Sequence, residues 1–377
     1  MIAACAPRGA ASPDVQPPAP PKVRAGLRRR AARRGEGAPL TAPARPVAVL
    51  AMAPRLTQGL IRPVHLERLR ALCELPDPAP LARFDEPRAG PLLARAEILL
   101  SGWGCPPLDA GLLARAPALR AVVHAAGTVK NHVTPACFAR GLRVSSAAAA
   151  NAIPVAEYTV AAVLFAGKRV FRLARRYREL RGFRLWGEEV PDPSNYRKVV
   201  GVVGASRVGR RVVELLRPYD LQVLLHDPTL DDAAIRALGA EPAPLDDLLA
   251  RADVVTLHAP AVPSTRGVLD ARRLSLLRDG AVLVNTARGS LVDAEALTRE
   301  LVAGRIDAVL DVTEPEVLPP DSPLYDLPNV FLTPHVAGAL GSERERLVEL
   351  ALEEIGRLVR GEPLRHEVRR EDWDHIA

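Results

Sequence analysis

Arg288, in the sequence AVLVNTARGS, directly follows a short apolar run in the second half of the chain. If this run is a strand of a parallel sheet, Arg288 lies at its carboxyl end, where open α/β sheets bind ligands. The planar guanidinium group suits a carboxylate, which it can bind through two parallel hydrogen bonds. We therefore interpret Arg288 as a carboxylate-binding residue, with a surface ion pair as the alternative.

Two further apolar runs end near groups that exchange protons. The run IDAVLDV is followed by Glu314 and Glu316, and the run NVFLTPH ends on His335. A histidine whose charge is held by a neighbouring carboxylate is a common proton donor and acceptor near neutral pH. Each residue alone is more often structural, but together with the arginine they indicate a site. The alternative histidines that also end apolar runs are His124 and His258.

A glycine-rich turn, GASRVG (204–209), joins the apolar run VVGVV to a helical segment. The first glycine permits the tight turn and the last permits close packing of helix against strand, while the helix N-terminus binds a pyrophosphate. Ser206 replaces the middle glycine, which weakens the motif. Asp227 ends the next apolar run, where a carboxylate accepts hydrogen bonds from an adenosine ribose; a turn residue before Pro228 is the alternative. The combination predicts a dinucleotide site that prefers NAD, because an acid there disfavours a 2′-phosphate.

The apolar runs also indicate the elements that position these residues. In the first half, strand-like runs alternate with helical stretches such as 64–72 and 108–115, which predicts a mostly parallel sheet covered by helices. A second alternating series follows a long helical stretch from Asn151 to about Arg178, and the last segment, 342–361, is an amphipathic helix. The strand-like runs are 47–52, 97–100, 119–123, 142–146, 199–205, 221–227, 252–258, 281–287, 306–312 and 329–335.

The chain has 377 residues and a formal net charge of +7, with 48% hydrophobic and 25% charged residues. The length suggests two domains, and the composition excludes global disorder. All of the excess positive charge lies in residues 1–45, a tail rich in Pro, Ala and Arg that we expect to be disordered. Because the remaining residues are formally neutral, we expect no nucleic-acid partner, with phosphate binding by the tail as the alternative.

Four cysteines, Cys5, Cys73, Cys105 and Cys137, lack the paired spacing of zinc sites, and a chain of this size needs no disulfides. We therefore expect free thiols in a cytoplasmic protein, and no bound metal. The tail lacks the apolar segment of a secretory signal, and no apolar run approaches the roughly 18 residues of a membrane helix. We expect no membrane partner.

From about Val47 to Gly361 the sequence resembles the D-isomer-specific 2-hydroxyacid dehydrogenases. The matching stretches cover the second half of the chain almost continuously. They are NAIPVAEYTVA (151–161), VVGVVGASRVGRRV (199–212), TLHAPAVPSTRGVLD (256–270), VNTARGSLVDAEAL (284–297), LDVTEPE (310–316) and PLYDLPNVFLTPHVAG (323–338).

The resemblance implies roles for individual residues. Arg288 would bind the substrate carboxylate, His335 would be the acid/base, and Glu316 would keep that histidine protonated. Glu316 is preferred over Glu314 because the family's glutamate comes five residues after the aspartate of its D-V motif, here Asp311. The expected substrate-binding loop is Ala126, Gly127 and Thr128. The expected cofactor contacts are Gly204, Ser206, Arg207, Val208, Gly209, Asp227, Pro260, Thr265, Thr286, Ala287, Asp311 and Gly338.

The resemblance also implies an activity: reversible hydride transfer between NAD(H) and a small 2-hydroxy acid/2-oxo acid pair, performed by a homodimer. The alternative is a non-catalytic NAD(H)-sensing protein of the same fold that acts through a protein partner. Some positions depart from the family's pattern and bear on the substrate more than on the chemistry. They are Ser206, Tyr158 in place of a common His, Val317 in place of Pro, and Lys130 with Asn131 in the loop 127–133.

The fold implied is α/β, with two doubly wound parallel-sheet domains, a Rossmann-type cofactor domain being inserted into a flavodoxin-like substrate domain. The expected boundaries are a tail at 1–45, the first part of the substrate domain at 46–150, and the NAD-binding domain at 151–335. Residues 336–377 would return to the substrate domain with the C-terminal helix.

Overall fold

The computed structural model describes residues 45–182, 184–190, 192–373 and 376. Within them the chain forms two parallel β-sheets, as expected from the sequence. The first contains β1 (Ala48–Ala51), β2 (Ile98–Ser101), β3 (Ala121–His124) and β4 (Arg143–Ser146). The second contains β5 (Val199–Val203), β6 (Gln222–His226), β7 (Glu241–Pro242), β8 (Val254–Leu257), β9 (Val282–Asn285), β10 (Asp307–Leu310) and β11 (Val330–Leu332). Apart from Arg45, the tail lies outside the described residues.

Helices connect most of these strands, as parallel pairing requires. The α-helices are α1 (Pro54–Thr57), α2 (Pro63–Leu72), α3 (Ala89–Arg95), α4 (Ala110–Arg115), α5 (Pro135–Ala139), α6 (Ala148–Gly167), α7 (Val170–Leu180), α8 (Arg207–Leu216), α9 (Asp232–Ala237), α10 (Leu245–Arg251), α11 (Ala271–Leu276), α12 (Ala294–Val302) and α13 (Arg344–Val359). Short 3₁₀ turns occupy Pro263–Thr265, Gly289–Leu291, Pro323–Tyr325 and Gly341–Glu343.

The first sheet has the strand order β1-β2-β3-β4. Two isolated parallel bridges, Val47 with Glu74 and Ala51 with Leu81, add a further segment beside β1. Because this segment follows β1 in the chain but lies on its other side, the sheet has the 2-1-3-4-5 order of flavodoxin-like folds. This edge segment pairs with β1 through these two bridges alone and, within the described chain, forms no continuous strand. The sequence accordingly contains no strand-like apolar run there.

The second sheet has the order β11-β10-β9-β8-β5-β6-β7. The chain direction across the sheet therefore reverses between β5 and β8, as in the Rossmann fold. Ligands of open parallel sheets bind outside the carboxyl ends of the strands at this reversal. The glycine-rich turn follows β5, so the topology brings it to the expected binding edge.

The predicted continuous helix from 151 to 178 is wrong, because α6 and α7 are separate helices. Between them Arg169 adopts a left-handed backbone conformation with φ of 56°. Its guanidinium group forms an ion pair with Asp307 at 3.3 Å and donates to the carbonyl of Gly280, both at the amino-terminal edge of the second sheet. These contacts with distant parts of the chain turn the backbone at Arg169 and end the first helix.

The expectation that no apolar stretch approaches a membrane-spanning length is also wrong. By length and composition α6 could cross a membrane, although Asn151 and Glu157 interrupt its apolar run in the sequence. In the structure Ala156, Val160 and Val163 on this helix pack into the core of the second sheet. A buried core helix passes the same length test, so α6 is weak evidence for a membrane span.

The C-terminal helix α13 returns to the first sheet, where Leu347 and Ile355 join Leu50 and Leu100 in one buried core. The chain thus leaves this core after β4, builds the second sheet, and comes back. The three described cysteines are free and buried. Burial raises the pKa of the Cys73 thiol to about 11 and that of the Cys105 thiol to about 12, so neither is a reactive thiolate near neutral pH.

Candidate active site

A cleft of about 420 Å³ is lined by residues that follow strands of both sheets. Gly127 and Thr128 come from the loop after β3, and Ser206 comes from the turn after β5. Thr286 and Arg288 come from the loop after β9. The cleft therefore brings together the loop predicted to bind a substrate, the turn predicted to bind a dinucleotide and the predicted carboxylate-binding arginine.

The glycine-rich turn fits closely against the end of β8. Gly204 has φ of +97°, and a Cβ atom there would lie 2.5 Å from the backbone nitrogen of Ala259. The Ser206 hydroxyl accepts a hydrogen bond from the N–H of Gly209 at 3.3 Å and so caps the N-terminus of α8. Serine in place of the middle glycine thus keeps the turn and begins the helix, a fit consistent with a bound pyrophosphate.

Asp227 lies beside this turn rather than in an isolated loop. Its carboxylate accepts hydrogen bonds from the backbone N–H of Ala205 at 2.6 Å and of Thr229 at 2.8 Å, and from the Thr229 hydroxyl at 2.5 Å. Burial alone raises the pKa of Asp227, but these hydrogen bonds together outweigh it and lower the pKa below its usual value. The carboxylate is therefore charged at neutral pH, next to the turn that would hold a dinucleotide.

Arg288 is half-buried in the cleft wall. No carboxylate of the described residues lies within ion-pair distance of its guanidinium group. The alternative role of Arg288, a surface ion pair, is therefore absent from the described residues. Burial lowers the pKa of Arg288, and the nearby charge of Glu316 opposes that shift. The Asn285 side chain donates to the carbonyl of Arg288 at 2.9 Å and fixes the loop. The arginine charge thus faces the cleft without a described ion-pair partner.

His335 and Glu316 are in contact, with a hydrogen bond between Nδ1 of the histidine and Oε1 of the glutamate. Their side chains are 50% and 56% exposed. Glu314 lies two residues away and instead forms an ion pair with Arg266 at 2.9 Å. The structure therefore brings together His335 and Glu316, the pair selected from the sequence, and leaves Nε2 of the ring for another partner.

Asp311 fixes the loop that carries the histidine. Its buried carboxylate accepts hydrogen bonds from the Thr333 hydroxyl at 2.6 Å and from the backbone N–H groups of Val336 at 2.8 Å and Ala337 at 2.9 Å. Its carbonyl accepts the N–H of His335, which has a left-handed φ of 55°. A histidine rarely adopts this conformation, so the Asp311 contacts hold an otherwise unfavourable backbone geometry in place.

The predicted site residues divide into those that line the cleft and those that lie around it. The lining residues are Gly127, Thr128, Ser206, Arg207, Val208, Pro260, Thr286, Ala287 and Arg288. The others are Ala126, Gly204, Gly209, Asp227, Thr265, Asp311, Glu316, His335 and Gly338, of which Gly204, Gly209 and Asp311 shape the adjoining loops. Lys130 and Asn131, expected near the substrate, do not line the cleft either.

Of the lining residues outside the predicted set, Asn151 was missed by the sequence reasoning, and His258 was named only as an alternative acid/base. Asn151 accepts the N–H of Ala339 at 3.0 Å and so ties α6 to the loop after β11; its position at the start of a matching stretch was the available signal. His258 bonds Thr256 at 3.0 Å, while its buried Nδ1 has no partner in the described structure. Burial lowers the pKa of His258 to about 3. A neutral ring with one unused nitrogen fits a polar ligand in the cleft.

His124, the other alternative acid/base, lies behind the substrate loop. It is 2% exposed and bonds Ser101 at 2.9 Å, while the Ser101 hydroxyl also lies 3.2 Å from His132. Burial lowers the pKa of His124 well below its usual value, and burial lowers that of His132 to about 4. Both rings are neutral at pH 7 and have no access to a substrate, which favours His335 as the acid/base candidate.

Outside the cleft, His65, Glu345 and Glu349 place ligand-type atoms within 4.8 Å of one another. The carboxylates already pair with Arg62 and Arg68, respectively. Nδ1 of the imidazole accepts the N–H of Arg62 at 3.2 Å, so a neutral ring carries its proton on Nε2, the atom that faces Glu349. These contacts oppose metal binding by this group.

The NAD-binding-domain model of the D-isomer specific 2-hydroxyacid dehydrogenases matches residues 160–337. A D-3-phosphoglycerate dehydrogenase of Mycobacterium bovis is 36% identical over 244 residues, which are 63% of this chain and 45% of that protein. This chain thus spans about half the length of that relative. A glyoxylate reductase of Korarchaeum cryptofilum is 33% identical over 263 residues, which are 68% of this chain and 78% of the reductase.

Among solved structures, the TT0316 protein from Thermus thermophilus superposes with a TM-score of 0.69 at 32% identity, over 85% of this chain and 100% of that one. These matches confirm the resemblance, the two-sheet fold and NAD as the cofactor expected from the sequence. The chain belongs to the D-isomer-specific 2-hydroxyacid dehydrogenase family, and its second sheet carries the family's NAD-binding domain.

Proposed function

We propose that this protein is an NAD-dependent oxidoreductase that interconverts a 2-hydroxy acid and the corresponding 2-oxo acid. Residues 46–150 and 336–377 would bind the substrate, and residues 151–335 would bind the cofactor. The observation that carries the proposal is the contact between His335 and Glu316, close enough to Arg288 for the glutamate charge to act on the arginine. A proton donor and a carboxylate-binding group thus lie together beside the cleft.

The substrate carboxylate would be held by Arg288 and by the backbone N–H groups of Gly127 and Thr128. The guanidinium group faces the cleft without a described ion-pair partner, and the loop residues line the same cleft. Two anchoring points on one carboxylate fix the orientation of the adjacent carbonyl carbon. Arg288 and the loop of Gly127 and Thr128 would thus orient the carbonyl carbon for the reaction.

The proton would come from His335. Glu316 accepts a hydrogen bond from Nδ1 and so leaves Nε2–H directed away from the pair. In reduction, Nε2–H donates its proton to the carbonyl oxygen, and in oxidation the neutral ring takes the hydroxyl proton back. The half-exposed position of both side chains lets bulk water restore the proton between turnovers.

The residues around the glycine-rich turn fit NAD. The close approach of Gly204 to β8 leaves no room for a side chain, the N-terminus of α8 is suited to a pyrophosphate, and the charged Asp227 suits a ribose diol. When bound, the nicotinamide supplies or accepts the hydride. Asp227 would repel a 2′-phosphate, so we propose NAD rather than NADP.

The homodimer and the cytoplasmic location expected from the sequence remain part of this proposal. Phe165 and Phe331 are exposed and join Phe171 in one aromatic cluster on the second sheet, which suits an interface between two copies. Sedimentation of the full chain tests the dimer. The free, buried thiols suit a reducing compartment.

NADH oxidation on addition of a panel of 2-oxo acids tests the proposed activity. Replacement of His335 by Ala should lower kcat by about 10²- to 10⁴-fold and leave NADH binding unchanged. Reduction of 2-oxo acids at the wild-type rate by this variant would show that the acid/base is another residue. NADH binding by the wild-type protein without oxidation by any 2-oxo acid would instead favour the non-catalytic sensor.

A further inference from the structure

The segment after α13 forms one wall of the cleft. Glu367, Val368, Asp372 and Ile376 line the same cleft as Arg288. None of them lies in a stretch that resembles the family, which ends near Gly361. Their position in the cleft places them beside the residues proposed to bind the substrate.

This wall is fixed by contacts with the first sheet. The buried carboxylate of Glu354 accepts the backbone N–H groups of Arg365 and His366, each at 3.1 Å, and the Ser145 hydroxyl at 3.1 Å. The N–H of Val368 donates to the carbonyl of Val144 at 2.8 Å, beside β4. The wall is thus an ordered part of the fold.

The end of the segment is held by apolar contacts. Trp373 packs edge-on against Phe138 with ring centroids 5.6 Å apart, and both Trp373 and Ile376 join the core of the first sheet. Asp372 lies between the backbone pairing at Val368 and this apolar anchor, directly before Trp373. Its position in the cleft is therefore set from both sides.

The charges of the cleft are unevenly distributed. Glu367 forms an ion pair with Arg143 at 3.0 Å, whereas Asp372, an exposed residue at the cleft, has no ion-pair partner among the described residues. The basic residues that line the cleft in the described chain are Arg207, at the start of α8, and Arg288. With these two assigned to the cofactor turn and the substrate carboxylate, no lining cation of the described chain remains for a second anionic group.

We propose that this C-terminal wall makes the site selective for 2-oxo acids with a single negative charge and an uncharged side chain. Val129, Val155, Val368 and Ile376 supply apolar surface for that side chain. A terminal phosphate or carboxylate would instead lose its hydration and meet the unpaired carboxylate of Asp372. This inference rests on the proposed function and narrows its substrate class.

Matched pairs of substrates test the proposal with the full chain. Hydroxypyruvate is compared with 3-phosphohydroxypyruvate, and 2-oxopentanoate with 2-oxoglutarate, so that each pair differs in one anionic group. We expect kcat/KM to be at least about tenfold higher for the member without that group. Equal or higher kcat/KM for the doubly charged members would overturn the proposal. This holds also if Lys130 provides the cation that binds the second anionic group.

Two charge-removing variants distinguish an effect of the Asp372 charge in the cleft from the effect of removing any nearby negative charge. Asp372→Asn should raise kcat/KM for the doubly charged members by about two- to fivefold at low salt and should raise it less for the singly charged members. Glu371→Gln is the matched control, because Glu371 is exposed like Asp372 but does not line the cleft. Equal effects of the two variants, or no effect of Asp372→Asn, would overturn the role of the wall.

Binding measurements keep this proposal distinct from the proposed activity. Calorimetry of the four 2-oxo acids with the NAD⁺ complex, in which the cofactor has no hydride to transfer to them, reports the same preference without turnover. In one outcome no acid is reduced, the singly charged acids bind more tightly than the doubly charged ones, and Asp372→Asn reduces this difference in affinity. The proposed activity then fails and the inference stands. If reduction occurs without a charge preference in kcat/KM or binding, the activity stands and the inference fails.

Discussion

The Ser101 hydroxyl lies 2.9 Å from Nδ1 of His124, and this contact supports the loop proposed to bind the substrate. The His124 ring also forms a hydrogen bond with the backbone of Thr128. This bond raises the pKa of His124, against the larger opposite effect of burial, so the ring N–H donates and the Thr128 carbonyl accepts. In the neutral ring Nδ1 is then the acceptor, and Ser101 donates to it. His132 in turn donates to Ser101, which completes a directional chain from the core to the loop.

Replacement of Ser101 by Ala should therefore loosen this loop. Loss of the hydroxyl leaves Nδ1 of His124 and a donor on His132 buried without partners, which costs about 1–3 kcal/mol of the free energy of unfolding. We also expect the KM for the 2-oxo acid to rise more than the KM for NADH. Urea denaturation and steady-state kinetics measure both effects.

The matched control for this variant is Ser275→Ala. Ser275 is exposed and bonds only the carbonyl of Arg272 in its own helix, so its loss should change stability by less than about 0.5 kcal/mol. A Ser101 variant as stable as this control, with unchanged KM values, would contradict the supporting role of the chain of hydrogen bonds.

The same buried rings predict how stability depends on pH. Burial lowers the pKa of His132 from 6.5 to about 4, so between these values the unfolded chain binds the proton and the folded chain does not. The free energy of unfolding must therefore fall as the pH falls below 6.5. Between about pH 7 and pH 5 each such ring should contribute a loss of about 2 kcal/mol.

His132→Gln tests this, because glutamine keeps an N–H donor for Ser101 but does not titrate. Urea denaturation at about pH 7 and pH 5 should show a smaller acid-induced loss for the variant than for the wild type. Parallel losses in the two proteins would mean that the ring is protonated in the folded state.

Local sequence patterns were sufficient where strand, turn and side chain are neighbours in the chain. The run before Gly204, the turn, the helix and the acid Asp227 all appear where the sequence predicts them, because each depends on nearby residues. The approach of His335 to Glu316 was also anticipated, since the strands before them are adjacent in the sheet and their carboxyl ends meet.

Long-range contacts account for what the sequence did not reveal. Arg169 ends α6 through Asp307 and Gly280, and no pattern near residue 169 reports those partners. The cleft wall depends on contacts such as that of Arg143 with Glu367, which are 224 residues apart. The segment after α13 has no periodicity of its own, so its position follows only from the packed structure.

The choice between two neighbouring glutamates can be tested directly. Glu316→Gln replaces the charged hydrogen-bond acceptor of His335 Nδ1 by a neutral amide and should lower kcat for 2-oxo acid reduction by about tenfold or more. Glu314→Gln is the control, because Glu314 pairs with Arg266 instead. The kcat values of the two variants decide which glutamate acts on the histidine.

If Glu314→Gln lowers kcat more, or if Glu316→Gln leaves kcat unchanged, the contact between His335 and Glu316 is structural only. A purely structural loss would lower the fraction of active enzyme and would leave kcat per active site unchanged.

The charge of Asp227 predicts the choice of cofactor. Because hydrogen bonds keep its pKa low, the carboxylate is ionised at every pH at which the enzyme would be assayed and would repel a 2′-phosphate. Asp227→Asn keeps an acceptor for the Ala205 N–H but removes the charge, so the ratio of kcat/KM for NADH to that for NADPH should fall by about tenfold or more. Asp232→Asn, at an exposed position paired with Arg236, is the control and should leave the ratio unchanged. A ratio unaffected by Asp227→Asn would mean that the discrimination is set elsewhere in the turn, with Arg207 the next residue to replace.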